Sequence, residues 1–186
     1  LAELPAWSGE PLAGRRLLIW PEQGFGDQIQ FARYAPVLKA MGAEVILVAP
    51  PALSSLLSQL PVTVLTQTPS ITLARPDFWI SPASIPRRLG LAPETIDSGA
   101  YLQAPQEARD SWAGHASPRS IGYAWRGKAH HNNDTRRSMQ SPNLLLSMLE
   151  KTGAPLFDLT EPLGDFSDMA AVIEQLDLVI TVDTAV

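Results

Sequence analysis

The 186 residues suffice for one large domain or two small ones, and an apolar content of 45% is ordinary for a packed core. A formal net charge of −5 argues against a general nucleic-acid surface, and the absence of cysteine excludes disulfides and thiolate metal sites. No apolar run approaches membrane-spanning length, and Leu1-Ala2-Glu3-Leu4-Pro5 lacks the pattern of a signal peptide, so a cytoplasmic location is expected.

In chain order, Leu17-Leu18-Ile19-Trp20 predicts a buried strand over 15–20. Glu22-Gln23-Gly24-Phe25-Gly26-Asp27 comes next. Helical spacing at Ile29, Ala32, Val37 and Leu38 then predicts a helix over 27–41, with Gly42 at its C-cap. Two glycines and two carboxylates therefore stand where a strand turns into a helix. In an open parallel sheet that is the rim of the cleft where ligands bind. Glycine lets backbone N–H groups approach a ligand, and a helix N-terminus favours an anion or an acceptor group. Asp27 is a candidate general base, although Asp27-x-x-Gln30 also reads as a capping box with Asp27 as N-cap. Glu22 suits a ligand hydroxyl or a hydrogen bond within the turn. The stretch is not the dinucleotide fingerprint, because Ile29 fills the third small-residue position and the second strand ends at Ala49-Pro50 without an acid. No Walker A pattern is present.

Further strands are predicted over 44–49, 62–66 and 78–81, with a short helix over 52–60 and a helical turn near 84–89. Such alternation predicts an α/β fold: a parallel sheet with right-handed crossovers and helices on both faces. Periodicity weakens from Gly90 to Pro118. Residues 104–118 read as a boundary, with a helix across 106–113. The alternation then restarts, with strands over 120–125, 155–159 and 178–182 and helices over 142–152 and 167–176. Ser141 is the expected N-cap of the first of these helices, Pro142 its first residue and Gly153 its C-cap. A last strand apolar on both faces needs a following helix, which 183–186 are too few to supply. The second domain therefore reads as about half complete and the chain as a piece of a longer protein. Its uncovered sheet is expected to promote a homodimer or other self-association.

Two more segments carry candidate chemistry. Trp125-Arg126-Gly127-Lys128-Ala129-His130-His131-Asn132-Asn133-Asp134-Thr135-Arg136-Arg137-Ser138 begins at a strand end and holds a local excess of positive charge. Arginine forks and lysine suit a diphosphate, while a solvated basic loop is the plainer alternative. Adjacent His130 and His131 with no third ligand type nearby are weak as a metal site. Val182-Asp183-Thr184-Ala185 also ends a strand, where the Asp-Thr pair either caps a helix or holds a phosphate at its N-terminus. Three polar motifs at strand C-terminal ends support one another more than any one does alone.

Together these motifs resemble a bacterial glycosyltransferase-like domain that commonly follows tetratricopeptide repeats, related to the heptosyltransferases of glycosyltransferase family 9. The resemblance rests on Trp7 to Gly14 with Leu17-Leu18-Ile19, on Glu22 through Tyr34 and on Gly122-Tyr123-Ala124-Trp125-Arg126-Gly127. It continues through Asn133-Asp134, Arg137-Ser138 and Leu176 to Val186, so it runs nearly end to end. It implies the GT-B arrangement: two Rossmann-like parallel-sheet domains facing across a cleft, the second incomplete. Residues 1–104 would form the acceptor-side domain, 105–118 a linker and 119–186 the nucleotide-sugar side. The implied activity is inverting, metal-independent transfer from a nucleotide sugar to a hydroxyl of a glycan, lipid or protein acceptor, with no cofactor.

By the same resemblance Asp27 matches the base that deprotonates the acceptor. Glu22, Gln23, Gly24 and Gly26 would line the acceptor side. Arg126 and Lys128 lie near the basic residue expected at the donor diphosphate, with Asp134, Arg137 and Ser138 beside them. Asp183 and Thr184 match the donor-side Asp-Thr motif. The chain departs from its relatives at Arg126-Gly127-Lys128, where they often show Ala-Gly-Asn. It also stops before the histidine and glycine-containing helix that complete their nucleotide pocket. As it stands it is expected to lack a competent donor site. A non-catalytic scaffold beside the repeats, or an epimerase sharing the fold, are the competing expectations.

Overall fold

The computed structural model describes residues 3–22, 24–96, 99–127, 134–161 and 163–186. The chain divides into two compact units, Leu1–Leu102 and Gln103–Val186. The first holds strands β1 (Arg16–Ile19), β2 (Glu44–Ala49), β3 (Thr63–Thr66) and β4 (Phe78–Ile80). Its helices are α1 (Phe25–Ala32), α2 (Tyr34–Ala40), α3 (Pro51–Leu57) and α4 (Ile85–Arg88). The second holds β5 (Ile121–Ala124), β6 (Leu156–Asp158) and β7 (Leu178–Thr181), with α5 (Gln106–Trp112), α6 (Asp134–Arg137), α7 (Asn143–Leu149) and α8 (Phe166–Ile173).

Both sheets are parallel throughout, in the orders β3-β2-β1-β4 and β6-β5-β7. The α/β expectation with two parallel sheets is therefore met. Strands of such sheets are covered on both faces, which is why β1 and β2 read as unbroken apolar runs. Leu18, Ile46 and Val48 form the core on one face, packed by Trp20, Leu65 and Trp79. Strand alternation turns Leu17 and Ile19 to the other face, where they too are fully buried. The segment before β1 extends the first sheet. Trp7 N–H donates to Trp79 O at 2.8 Å, and Trp79 N–H to Pro5 O at 3.1 Å, so β4 gains a short parallel neighbour. Trp7 itself is buried and donates its indole N–H to Glu10 O.

The helix expected over 27–41 is two helices that meet at Arg33. Pro36 has no N–H for the Ala32 carbonyl, and its ring crowds that turn, so the regular ladder stops there. The first of the pair also begins earlier than expected, at Phe25 with Gly24 as N-cap. Gly42 sits beyond the second with φ +93°, as the C-cap expectation requires.

In the second unit, Ala124, Leu159, Met169 and Val172 form the core beneath the sheet. The segment expected as a linker belongs to this unit. Its helix α5 packs on α8 through Ala104, Ala108 and Ala171, small residues that let the backbones approach. Trp112 Nε1–H donates to Asp168 at 2.7 Å, and Arg109 pairs with Glu174 at 2.7 Å. The start of α8 carries a capping box overlooked in the sequence. Asp165 accepts from Ser167 N–H and Asp168 N–H, and Asp168 accepts in return from Asp165 N–H. Further back, α7 begins at Asn143 rather than Pro142, with Ser141 Oγ accepting from Asn143 N–H at 3.2 Å. Gly153, φ +68°, ends the turn after α7 as expected.

Candidate functional site

Each unit has a place where the sheet order reverses direction. In the first, the chain moves from β1 to β2 and β3 on one side, then returns to place β4 on the other. Loops leaving the carboxyl ends of β1 and β4 therefore diverge and leave a crevice. Glu22, Gly24, Gly26 and Asp27 all lie on the β1 side of it, and α1 packs against the Pro82–Ser84 turn on the β4 side. Gln23 lies outside the described residues.

Within that loop, Asp27 occupies the third position of α1, not the N-cap. Its Oδ2 accepts from Gly24 N–H at 3.2 Å, so the carboxylate reaches back over the helix start. Gly24 has no side chain to complete a reciprocal box, and only this returning half exists. Its φ is −78°, and a Cβ there would stand 3.5 Å from Asp27 Oδ2, an ordinary contact. Backbone strain therefore does not demand glycine at 24. What glycine leaves is a bare helix start beside a half-exposed carboxylate. Glu22 is exposed. Across the crevice, Ser81 is buried at the end of β4 and its hydroxyl lies 3.0 Å from that of Ser84. Sequence reading passed over this pair, although any polar residue ending a strand at the reversal point was a signal.

The second unit repeats the logic. β5 is central, β6 lies on one side and β7 on the other, so the reversal falls between β5 and β7. The loops after these two strands carry the basic segment and the Asp-Thr pair. The one-turn helix α6 and the residues after it are tied to the end of β5. Gly127 N–H donates to Ser138 Oγ at 2.8 Å, Ser138 Oγ–H donates to Asp134 Oδ1 at 2.5 Å, and Met139 N–H donates to Trp125 O at 2.9 Å. From this folded turn Arg137 reaches across, with Nη1 3.6 Å from Asp183 Oδ2. Arg137 Nε is buried with no hydrogen-bond partner among the described residues. A Cβ built on Gly127 would meet Arg137 Nη2 at 3.4 Å, Thr184 Oγ1 at 3.7 Å and Asp134 Oδ1 at 3.8 Å. Five of the expected donor-side residues, Asp134, Arg137, Ser138, Asp183 and Thr184, thus surround one small point.

Arg126 is not among them. Its guanidinium lies over the Trp125 ring at 5.2 Å and pairs with Glu161, which follows β6, so it serves the opposite side of β5. Lys128, His130 and His131 lie outside the described residues. Among the described residues there is no cluster of three or more metal-ligating side chains, and no helix long and apolar enough to cross a membrane.

Comparison with known proteins yields one short likeness. A stretch of 39 residues is 46% identical to Protein FlbA of Caulobacter vibrioides. That stretch is 20% of this chain and 6% of FlbA's own length. No family model matches the chain, and no solved structure matches it. The geometry of the two strand-end clusters therefore carries the functional reading.

Chemically, the second cluster offers one guanidinium with a donor to spare, two hydroxyls and two carboxylates. Such a set can grip an anion through Arg137 while the carboxylates accept from ligand hydroxyls. The first offers a carboxylate beside a helix start, which can accept a proton from a hydroxyl placed in the crevice.

Proposed function

We propose that this chain is a nucleotide-sugar-binding module of GT-B type that serves inverting, metal-independent glycosyl transfer. The convergence of Arg137, Asp183 and Thr184 around Gly127, at the β5–β7 reversal point, carries this reading. In the proposed reaction Asp27 takes the proton of an acceptor hydroxyl. The oxygen forms a bond to the anomeric carbon from the face opposite the leaving group. The anomeric C–O bond to the diphosphate breaks, and Arg137 meets the charge that develops on the departing diphosphate. Self-association through the second unit is part of the proposal. The edge strand β7 and helix α7 leave Leu144, Met148 and Leu178 exposed at 69%, 60% and 50%.

The test is calorimetric titration of the chain, in chelator, with UDP, GDP and ADP and their sugars. Saturable binding of one nucleotide that is lost in Arg137→Gln is the expected outcome. Asp27→Asn should leave that binding unchanged while removing any sugar transfer. Absence of binding to every nucleotide would refute the donor reading.

One observation favours a second reading, a non-catalytic scaffold. A charged group of each cluster already has a protein partner: Asp27 at Gly24 N–H and Arg137 at Asp183. Nucleotide binding would exclude a purely structural role for the second unit.

A further inference from the structure

The first unit holds an open pocket of about 680 Å³ whose lining includes neither Asp27 nor Ser81. That volume lies within the range of small-molecule sites. Phe31 and Tyr34 wall it from the α1–α2 pair, and Leu91 and Ile96 from the segment after α4. Two cations, Arg33 and Arg87, share the lining, and among the described residues no acid lines it. In a chain of net charge −5 this is a local reversal of sign.

Arg33 is held in place. Its Nε–H donates to Gln30 O at 3.1 Å, and its guanidinium lies 4.6 Å from the centre of the Tyr101 ring. The Tyr101 hydroxyl in turn donates to Ile29 O, so the ring under the guanidinium is tied to α1. The break between α1 and α2 falls at Arg33 itself. Pro36 sets that break, and Arg33 at the break lines the pocket. Arg87 is exposed on α4. The apolar wall supplies contact area, and the two cations supply a place for one negative group.

We propose that this pocket binds a small amphiphilic anion, a molecule with an aromatic or aliphatic body and a single phosphate or carboxylate. The apolar body packs against Phe31, Tyr34, Leu91 and Ile96. The anionic group sits between Arg33 and Arg87, where charge-assisted hydrogen bonds favour it over a neutral analogue. Glycosyl transfer by the chain is not required for this site to exist.

The probe is 1-naphthyl phosphate, followed by titration calorimetry, with 1-naphthol and inorganic phosphate as the body and head alone. Saturable binding of one equivalent is expected, with naphthol and phosphate each weaker by about tenfold or more. Arg33→Gln and Arg87→Gln should each weaken binding about fivefold or more. Ile96→Asp, at an exposed position, should abolish it by placing a carboxylate in the pocket, with circular dichroism checking that the fold is kept. Arg137→Gln should leave it unchanged, which separates this pocket from the cluster in the second unit. Co-sedimentation with phosphatidylglycerol vesicles, lost in the same variants, would assign the anion to a lipid headgroup. Probe binding without co-sedimentation would assign it to a soluble molecule. Equal binding of naphthol, insensitivity to both arginine substitutions, or no saturable binding would overturn the proposal.

Discussion

Asp183 and Arg137 make the sharpest case at the scale of single residues. The resemblance gives Asp183 a place at the donor, yet a carboxylate beside a diphosphate repels it. The geometry gives Asp183 a different effect, because it occupies the guanidinium that an incoming anion would use. Asp183 is 79% exposed, so the pair itself stabilises the fold little. Asp183→Asn is therefore expected to tighten nucleotide-diphosphate binding several-fold while Arg137→Gln loosens it, with titration calorimetry as the readout. Weaker binding in Asp183→Asn would mean that the carboxylate accepts from the ligand directly. Glu174 gives the pH-dependent case. Hydrogen bonding from Arg109 holds its carboxyl below the ordinary glutamate range, and Ala104 N–H adds to this. A group whose folded value is depressed stabilises at neutral pH and loses that contribution as the pH falls through its folded value. Glu174→Gln is expected to cost about 1 kcal/mol at pH 7 and progressively less as the pH falls below the ordinary glutamate range, by urea unfolding at each pH.

At the scale of elements, the turn from α2 into β2 is tightly held. Gly42 combines φ +93° with a close approach, since a Cβ there would stand 2.9 Å from Ala13 Cα. Its carbonyl also accepts from Gly14 N–H at 2.9 Å, which ties the turn to the approach to β1. An alanine would be strained in its backbone and would press on a neighbouring main chain that cannot rotate away. Gly42→Ala is expected to destabilise the chain by about 1–3 kcal/mol, measured by denaturant unfolding. Element type was legible wherever one period dominated, as in β1, β2, β5 and α8. Element ends were less so. Pro36 stood in plain view inside the predicted helix, but apolar spacing on both sides of it masked the break. The cap at Asp165 lies just ahead of the helix expected over 167–176, whose start the apolar spacing did not fix.

At the scale of the whole molecule, two parallel sheets each present a reversal point, and the polar motifs fall at those two points. Candidate sites were legible to that extent, because strand C-terminal ends can be counted along a sequence. Which residues meet was not. Asp183 and Thr184 are separated from Gly127 by more than fifty residues of chain, so only the parallel pairing of β5 with β7 brings them to it. The exposed Leu144, Met148 and Leu178 act at this scale too. We expect light scattering to show a rising average mass with concentration, reduced by Leu178→Lys, and a mass fixed at one chain would count against self-association.

The sequence by itself determined the α/β alternation, the apolar strands and the placing of polar motifs after strands, because these follow from local periodicity and from glycine and proline chemistry. Tertiary structure alone decided that Arg126 turns to Glu161 while Arg137 turns to Asp183, and that α5 packs on α8. A long side chain has several partners within reach, and sheet order selects among them. The pocket between Arg33 and Arg87 belongs to the second kind as well, since its walls come from segments far apart in the chain that meet only through packing.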